Sequence, residues 1–178
     1  MTSPGPVAAE VLDLYRSLGG KADTPTLCPG GWDLAFAGGL VVELDEELHF
    51  NRYRAVTLAA SWESGLPWAA DYQVHCAKHE PACLAAGVWG KRWTNASAAA
   101  MFLGGAPGDL DGGGAPRWKQ RALYDALKDT VTLLASGVRL ARVATHDQLN
   151  GVTLGTVLDG LAPIDAGAVR SLVDARTR

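Results

Sequence analysis

Residues 32–45, Trp32-Asp33-Leu34-Ala35-Phe36-Ala37-Gly38-Gly39-Leu40-Val41-Val42-Glu43-Leu44-Asp45, hold two apolar runs parted by an alanine and two glycines. Runs of that length with glycine between them predict a β-hairpin. Side chains alternate faces along a strand, so Glu43 and Asp45 share one face while Val42 and Leu44 take the other. The place of Asp33 depends on the turn. A two-residue turn at Gly38-Gly39 sets Asp33 against Leu44, whereas a three-residue loop at Ala37-Gly38-Gly39 sets it directly across from Glu43. Three-residue loops with glycine in the left-handed position are common, and we expect that register. Carboxylates at the end of an otherwise uncharged strand are costly to bury unless paired or metal-bound. Asp33, Glu43 and Asp45 are therefore the expected oxygen ligands of Mg²⁺ or Mn²⁺, which takes one or two carboxylates plus water and substrate phosphate. The competing reading is a solvated hairpin rim, since Glu46 and Glu47 extend the acidic run.

Outward from the hairpin, Pro6 to Leu18 has apolar residues at helical spacing and stops at Gly19-Gly20. A helical period returns from Asn51 to about Trp62. Tyr72–Cys83 reads as helix up to Pro81, and Gly104–Pro116 has the composition of a flexible loop. Arg117 to about Ser136 is the clearest helix, ended by Gly137, with a strand at Val138–Ala144 behind it. Thr153–Arg178 reads as two short helices broken around Pro163. The expected fold is an α/β single domain over residues 1–178. Its core is 1–60 and 117–150, with an insertion at 61–116 and C-terminal helices at 151–178.

One domain is what 178 residues ordinarily make, and 48% hydrophobic with 20% charged residues excludes a disordered or fibrous chain. There is no apolar run of membrane-spanning length, so no membrane partner is expected. The N-terminal stretch carries no secretory pattern, which makes the cytoplasm the expected compartment and the sequon at Asn95-Ala96-Ser97 silent. A net charge of −3 disfavours a protein that coats nucleic acid nonspecifically, although it allows a local basic surface.

The insertion is rich in Cys, His and Trp. Cys76-x-x-His79-x-x-x-Cys83 offers three ligands, with Pro81 expected to bend the chain before Cys83 and Cys28 or His75 as a fourth. A structural zinc is one reading; buried cysteines packing as small hydrophobes is the other. Lys91-Arg92-Trp93 and Arg117-Trp118-Lys119-Gln120-Arg121 are the concentrated basic segments, suited to phosphates and base stacking. For Trp118 a core position is the favoured reading.

The stretch from Asp33 through Glu43-Leu-Asp45 to His49 resembles the nuclease core of the PD-(D/E)XK restriction-endonuclease-like superfamily. It is most similar to the branch related to very-short-patch repair endonucleases. Arg121-x-x-x-Asp125-x-x-Lys128 and Gly137–Leu149 resemble the helix and strand that complete that core. The resemblance implies a restriction-endonuclease-like mixed sheet flanked by helices, and metal-dependent hydrolysis of DNA. It implies that Asp33 and Glu43 bind the metal and that Asp45 stands where many relatives have lysine. It also implies that His49 positions or deprotonates water, and that Glu10 adds a helix-borne acid. Gln120-x-x-x-Tyr124 is similar to a pattern from another branch, which would bring Gln120 or Lys119 to the scissile phosphate. Lacking the strand lysine, the site needs a cation from Lys119 or Lys128, or a second metal. DNA is the expected partner, and a homodimer is left open. The rival function is an inactive nuclease-fold protein that binds nucleic acid or a protein partner and carries a structural zinc.

Overall fold

The computed structural model describes residues 5–178. The hairpin takes the three-residue loop. Strand β1 (Leu34–Ala35) pairs antiparallel with β2 (Leu40–Asp45), Leu34 opposite Val42 and Ala35 opposite Val41. The Phe36 N–H donates to the Leu40 carbonyl at 2.8 Å, which closes Ala37-Gly38-Gly39 into the loop. One pair further along, Asp33 faces Glu43. Gly39 has φ of 79°, and a Cβ there would collide with the Gly137 carbonyl oxygen, so only glycine fits.

Strand β3 (Arg139–Ala144) lies parallel to β2 on its other side, from Leu40 opposite Arg139 to Asp45 opposite Ala144. A parallel pair requires a crossover, and the chain between Asp45 and Arg139 supplies it as helices. These are α2 (Arg52–Thr57), α3 (Ala69–Gly87), α4 (Ala96–Met101) and α5 (Pro116–Leu134), preceded in the chain by α1 (Pro6–Ser17). Asn51 starts α2 by accepting the N–H groups of Tyr53 and Arg54. After β3 come a small hairpin, β4 (Gln148–Leu149) with β5 (Val152–Thr153), then α6 (Leu154–Leu158) and α7 (Ala166–Ala175).

Alternation along β2 divides the core. Val42, Ala141 and Val143 pack with Leu149, Leu154 and Val157 beneath α7, whereas Val41 joins the larger cluster under α1, α2, α3 and α5. Glu43 and Asp45 share the face of Val41, so they point under α5. The fold is mixed α/β, with helices on both faces of a three-stranded sheet. Among the described residues no helix is long and apolar enough to cross a membrane.

Two expectations need correction. The helix expected from Asn51 to Trp62 ends at Thr57, and the chain goes on in turns to a 3-10 turn at Glu63–Gly65. Helix α3 does not bend out at Pro81 but runs on to Gly87. Proline removes one helical hydrogen bond, and its would-be acceptor, the carbonyl of Ala77, belongs to an exposed residue that water can reach. The segment 61–116 contributes to the main core, where Trp62, Trp68 and Trp93 join Trp118, Tyr15 and Leu123.

Candidate active site

A cavity of about 500 Å³ opens between the β1–β2 hairpin and α5, lined among others by Asp33, Glu43, Glu46, His49, Arg117 and Arg121. Tyr124, Asp125 and Lys128 complete its α5 wall. Arg117, Arg121, Tyr124 and Lys128 fall at i, i+4, i+7 and i+11, one stripe of a 3.6-residue helix.

The carboxylates of the hairpin are held from both sides. The Asp33 N–H donates to Glu43 Oε1 at 3.2 Å, and the Leu44 N–H donates to Asp33 Oδ2 at 2.9 Å. Lys128 Nζ donates to Glu43 Oε2 at 2.7 Å and also lies 5.6 Å from the Trp32 ring centroid. Burial pushes the Glu43 carboxyl up, opposed by the Lys128 bond and Arg142, while neighbouring Asp33 adds to the rise. Burial beside Arg121 lowers Arg117, so two cations crowd the cavity wall where an anion would relieve them.

Asp45 is not part of this carboxylate pair. Arg142 Nη1 donates to both of its oxygens at 2.8 Å, the Tyr72 hydroxyl donates at 2.9 Å, and His49 Nδ1 lies 3.0 Å away. A metal there would have to displace a guanidinium, so the expectation of three carboxylate ligands reduces to two. Asp33 and Glu43 remain a donor set that suits a hard divalent cation, since such ions need only one or two protein carboxylates.

His49 Nδ1 lies 2.8 Å from Asp125 Oδ2 and 3.0 Å from Asp45 Oδ1. Although burial alone would raise Asp125, the charges of His49 and Arg142 hold it well below the usual carboxylate range. Nδ1 faces the two acids, and His49 also lines the cavity.

Several expected site residues lie elsewhere. Lys119 Nζ donates to the Gly113 carbonyl at 2.8 Å, beside Tyr53. Gln120 reaches Ser97 Oγ at 2.9 Å and touches the cavity only indirectly, by accepting from Arg117 Nη1 at 2.8 Å. Glu10 accepts from the backbone and hydroxyl of Ser61. Cys28, Cys76, His79 and Cys83 do not meet. Because α3 stays helical, Cys76 and Cys83 are about 10 Å apart along its axis, and Cys28 is exposed in the loop before β1. Burial pushes Cys76 up to about 11 and Cys83 up to about 12, away from the thiolate that zinc binds. Both pack in the core. Trp93 and Trp118 are also core residues and present no ring for base stacking.

A family model described as a family of unknown function, DUF7255, matches residues 13–161. The chain belongs to DUF7255. No curated protein and no solved structure matches it. The span matched to DUF7255 includes every residue of the cavity wall and stops short of α7.

Behind the cavity, this DUF7255 chain carries a buried charge network. Arg142 also contacts Asp129 and Asp125, and Arg54 Nη2 donates to Asp129 Oδ2 at 2.7 Å with Glu63 Oε1 3.9 Å from its Nη1. Glu63 Oε2 has no hydrogen-bond partner. Burial, then the Asp129 charge, pushes Glu63 from 4.5 up to about 8, with Arg54 opposing. The folded protein thus keeps a proton that the unfolded chain releases above pH 4.5, and the associated stability is lost as pH rises through 8. Glu63→Gln, which mimics the protonated acid, is expected to flatten the fall in urea midpoint between about pH 5 and pH 8. A fall of equal steepness in the variant would place the titration elsewhere.

Proposed function

We propose that the chain is a metal-dependent nuclease of restriction-endonuclease-like architecture that hydrolyses DNA phosphodiester bonds. The observation that carries this reading is Asp33 set directly across from Glu43, on a cavity whose opposite wall presents Arg117, Arg121 and Lys128. Asp33 and Glu43 would hold Mg²⁺ or Mn²⁺, which lowers the pKa of a bound water and neutralises phosphate charge. Arg117 and Arg121 bind the phosphate oxygens of the nucleic-acid backbone. His49, with Nδ1 turned to Asp125, positions the attacking water. Lys128 supplies the positive charge beside the carboxylates and stabilises the charge that develops on the phosphorus oxygens.

The two lysines that the sequence leaves as alternatives are separable. Lys128→Met is expected to slow cleavage by about 10²–10³-fold, the usual cost of one electrostatic donor. Lys119→Met, remote from the developing charge, is expected to leave it within about threefold. Comparable losses in both variants, with both folded by circular dichroism, would reject this assignment.

A second reading rests on the 2.7 Å Lys128–Glu43 bond, which satisfies the carboxylate without an ion and suits a protein that binds nucleic acid and does not cut it. One experiment separates the two. The purified protein is incubated with single-stranded, double-stranded and supercoiled DNA in Mg²⁺ or Mn²⁺. Ion-dependent cleavage that vanishes in Glu43→Gln supports the nuclease, whereas binding without cleavage overturns it in favour of the second reading.

A further inference from the structure

Three of the four histidines meet outside the carboxylate cavity. His75 and His79 stand one turn apart on α3, and His146 lies in the turn after β3. The rings of His79 and His146 stack with centroids 3.6 Å apart and planes 4° from parallel, and the His75 ring lies 5.5 Å from that of His146. Glu47, in the 3-10 turn after β2, closes the group. One ligand atom from each of Glu47, His79 and His146 lies within 4.8 Å of the others, with His146 Nε2 3.9 Å from Glu47 Oε2.

Two polar atoms here are buried and without a hydrogen-bond partner, Glu47 Oε1 and His146 Nε2. Native interiors rarely leave such atoms unsatisfied, and each one calls for an explanation. An anionic acceptor and an imidazole nitrogen orphaned side by side are both relieved by a single cation.

We propose that Glu47, His79 and His146 form a second metal centre, for a borderline divalent ion such as Zn²⁺. Two imidazoles and a carboxylate are donors that zinc accepts, and three protein ligands leave one position for water or a small ligand. A cavity of about 500 Å³ lined by Glu47, Thr145, His146, Thr153 and Thr156 gives that position access. His75 stays outside the ligand set, because its Nε2 faces Asp147 at 3.4 Å. For both nitrogens to reach one ion, the stacked rings would have to turn out of parallel about their side-chain torsions. The centre is distinct from the Asp33–Glu43 pair, although Leu44 and Glu46 wall both cavities.

The test is a Co²⁺ titration of the full chain after chelator treatment, followed by Zn²⁺. One equivalent of Co²⁺ is expected to give visible ligand-field absorption with no thiolate charge-transfer band, and Zn²⁺ is expected to displace it. His79→Gln and Glu47→Gln each weaken that equivalent by at least about tenfold, while Cys76→Ser and Asp33→Asn retain it. His79 is only half-buried, so its variant is expected to fold, which circular dichroism checks. Absence of an absorbing equivalent, its persistence in His79→Gln, or its loss in Cys76→Ser or Asp33→Asn each overturns the proposal.

Discussion

Arg142→Leu is expected to lower the folding stability by about 4 kcal/mol or more, the range seen when one partner of a buried ion pair is removed. The Arg142 side chain is fully buried on β3 opposite Glu43, and its guanidinium serves three acids at once. It grips both oxygens of Asp45 and contacts Asp129 and Asp125. Leucine fills much of the volume but leaves these carboxylates without their main cation, in a protein whose whole stability is about 5–15 kcal/mol. Arg142→Lys restores a charge without the planar fork and is expected to recover only part of the loss. Urea unfolding reads the effect as a shifted midpoint at unchanged slope. A change within about 1 kcal/mol, the level of an exposed pair, would show that the network contributes little.

The elements that sequence reveals and those it hides differ for physical reasons. The hairpin was legible because its glycines count out the loop and strand alternation then fixes which residues face one another. That was enough to bring Asp33 to Glu43. Asp45 obeys the same alternation, but its partners Arg142 and Tyr72 lie far along the chain, and only the fold reveals that a guanidinium already occupies its oxygens. Arg54, Glu63 and Asp129 are hidden in the same way, since nothing local distinguishes a charge destined for the interior. The placement of Lys119 and Gln120 away from the cavity has a signal in the sequence. Arg117, Arg121, Tyr124 and Lys128 form one helical stripe, from which positions 119 and 120 are rotated away. His75 and His79 carry a similar signal at i, i+4, overshadowed by the neighbouring cysteines. Pro81 misled because an exposed proline can sit inside a helix when water serves the freed carbonyl. The Asn150-Gly151 turn of the β4–β5 hairpin, with φ of 50° and 90°, is a standard hairpin dipeptide and a local signal for this turn. Asn95, read only as a sequon, caps α4 by accepting the Ala98 N–H.

Asp33→Asn and Glu43→Gln are each expected to reduce DNA cleavage by about 10³-fold or more, roughly 4 kcal/mol of barrier. The two variants test one pair from different sides. Asp33 is exposed, and an amide oxygen can still accept the Leu44 N–H, so its variant removes charge while leaving the hairpin intact. Glu43 is buried against Lys128, so its variant also leaves an ammonium facing a neutral amide. Glu43→Gln is therefore expected to lower stability as well, whereas Asp33→Asn is expected to change stability by no more than about 0.5 kcal/mol. Equal loss of cleavage with unequal loss of stability is the pattern that separates a role in the reaction from a role in folding. A rate within tenfold of the unsubstituted protein in Asp33→Asn would remove that residue from the site.

The most direct measurement is calorimetric titration with Mn²⁺ of the unsubstituted protein, Asp33→Asn and Glu43→Gln. The account predicts that each variant loses one Mn²⁺ equivalent that the unsubstituted protein binds. Identical stoichiometry and affinity in all three would contradict it, because the two facing carboxylates would then hold no ion.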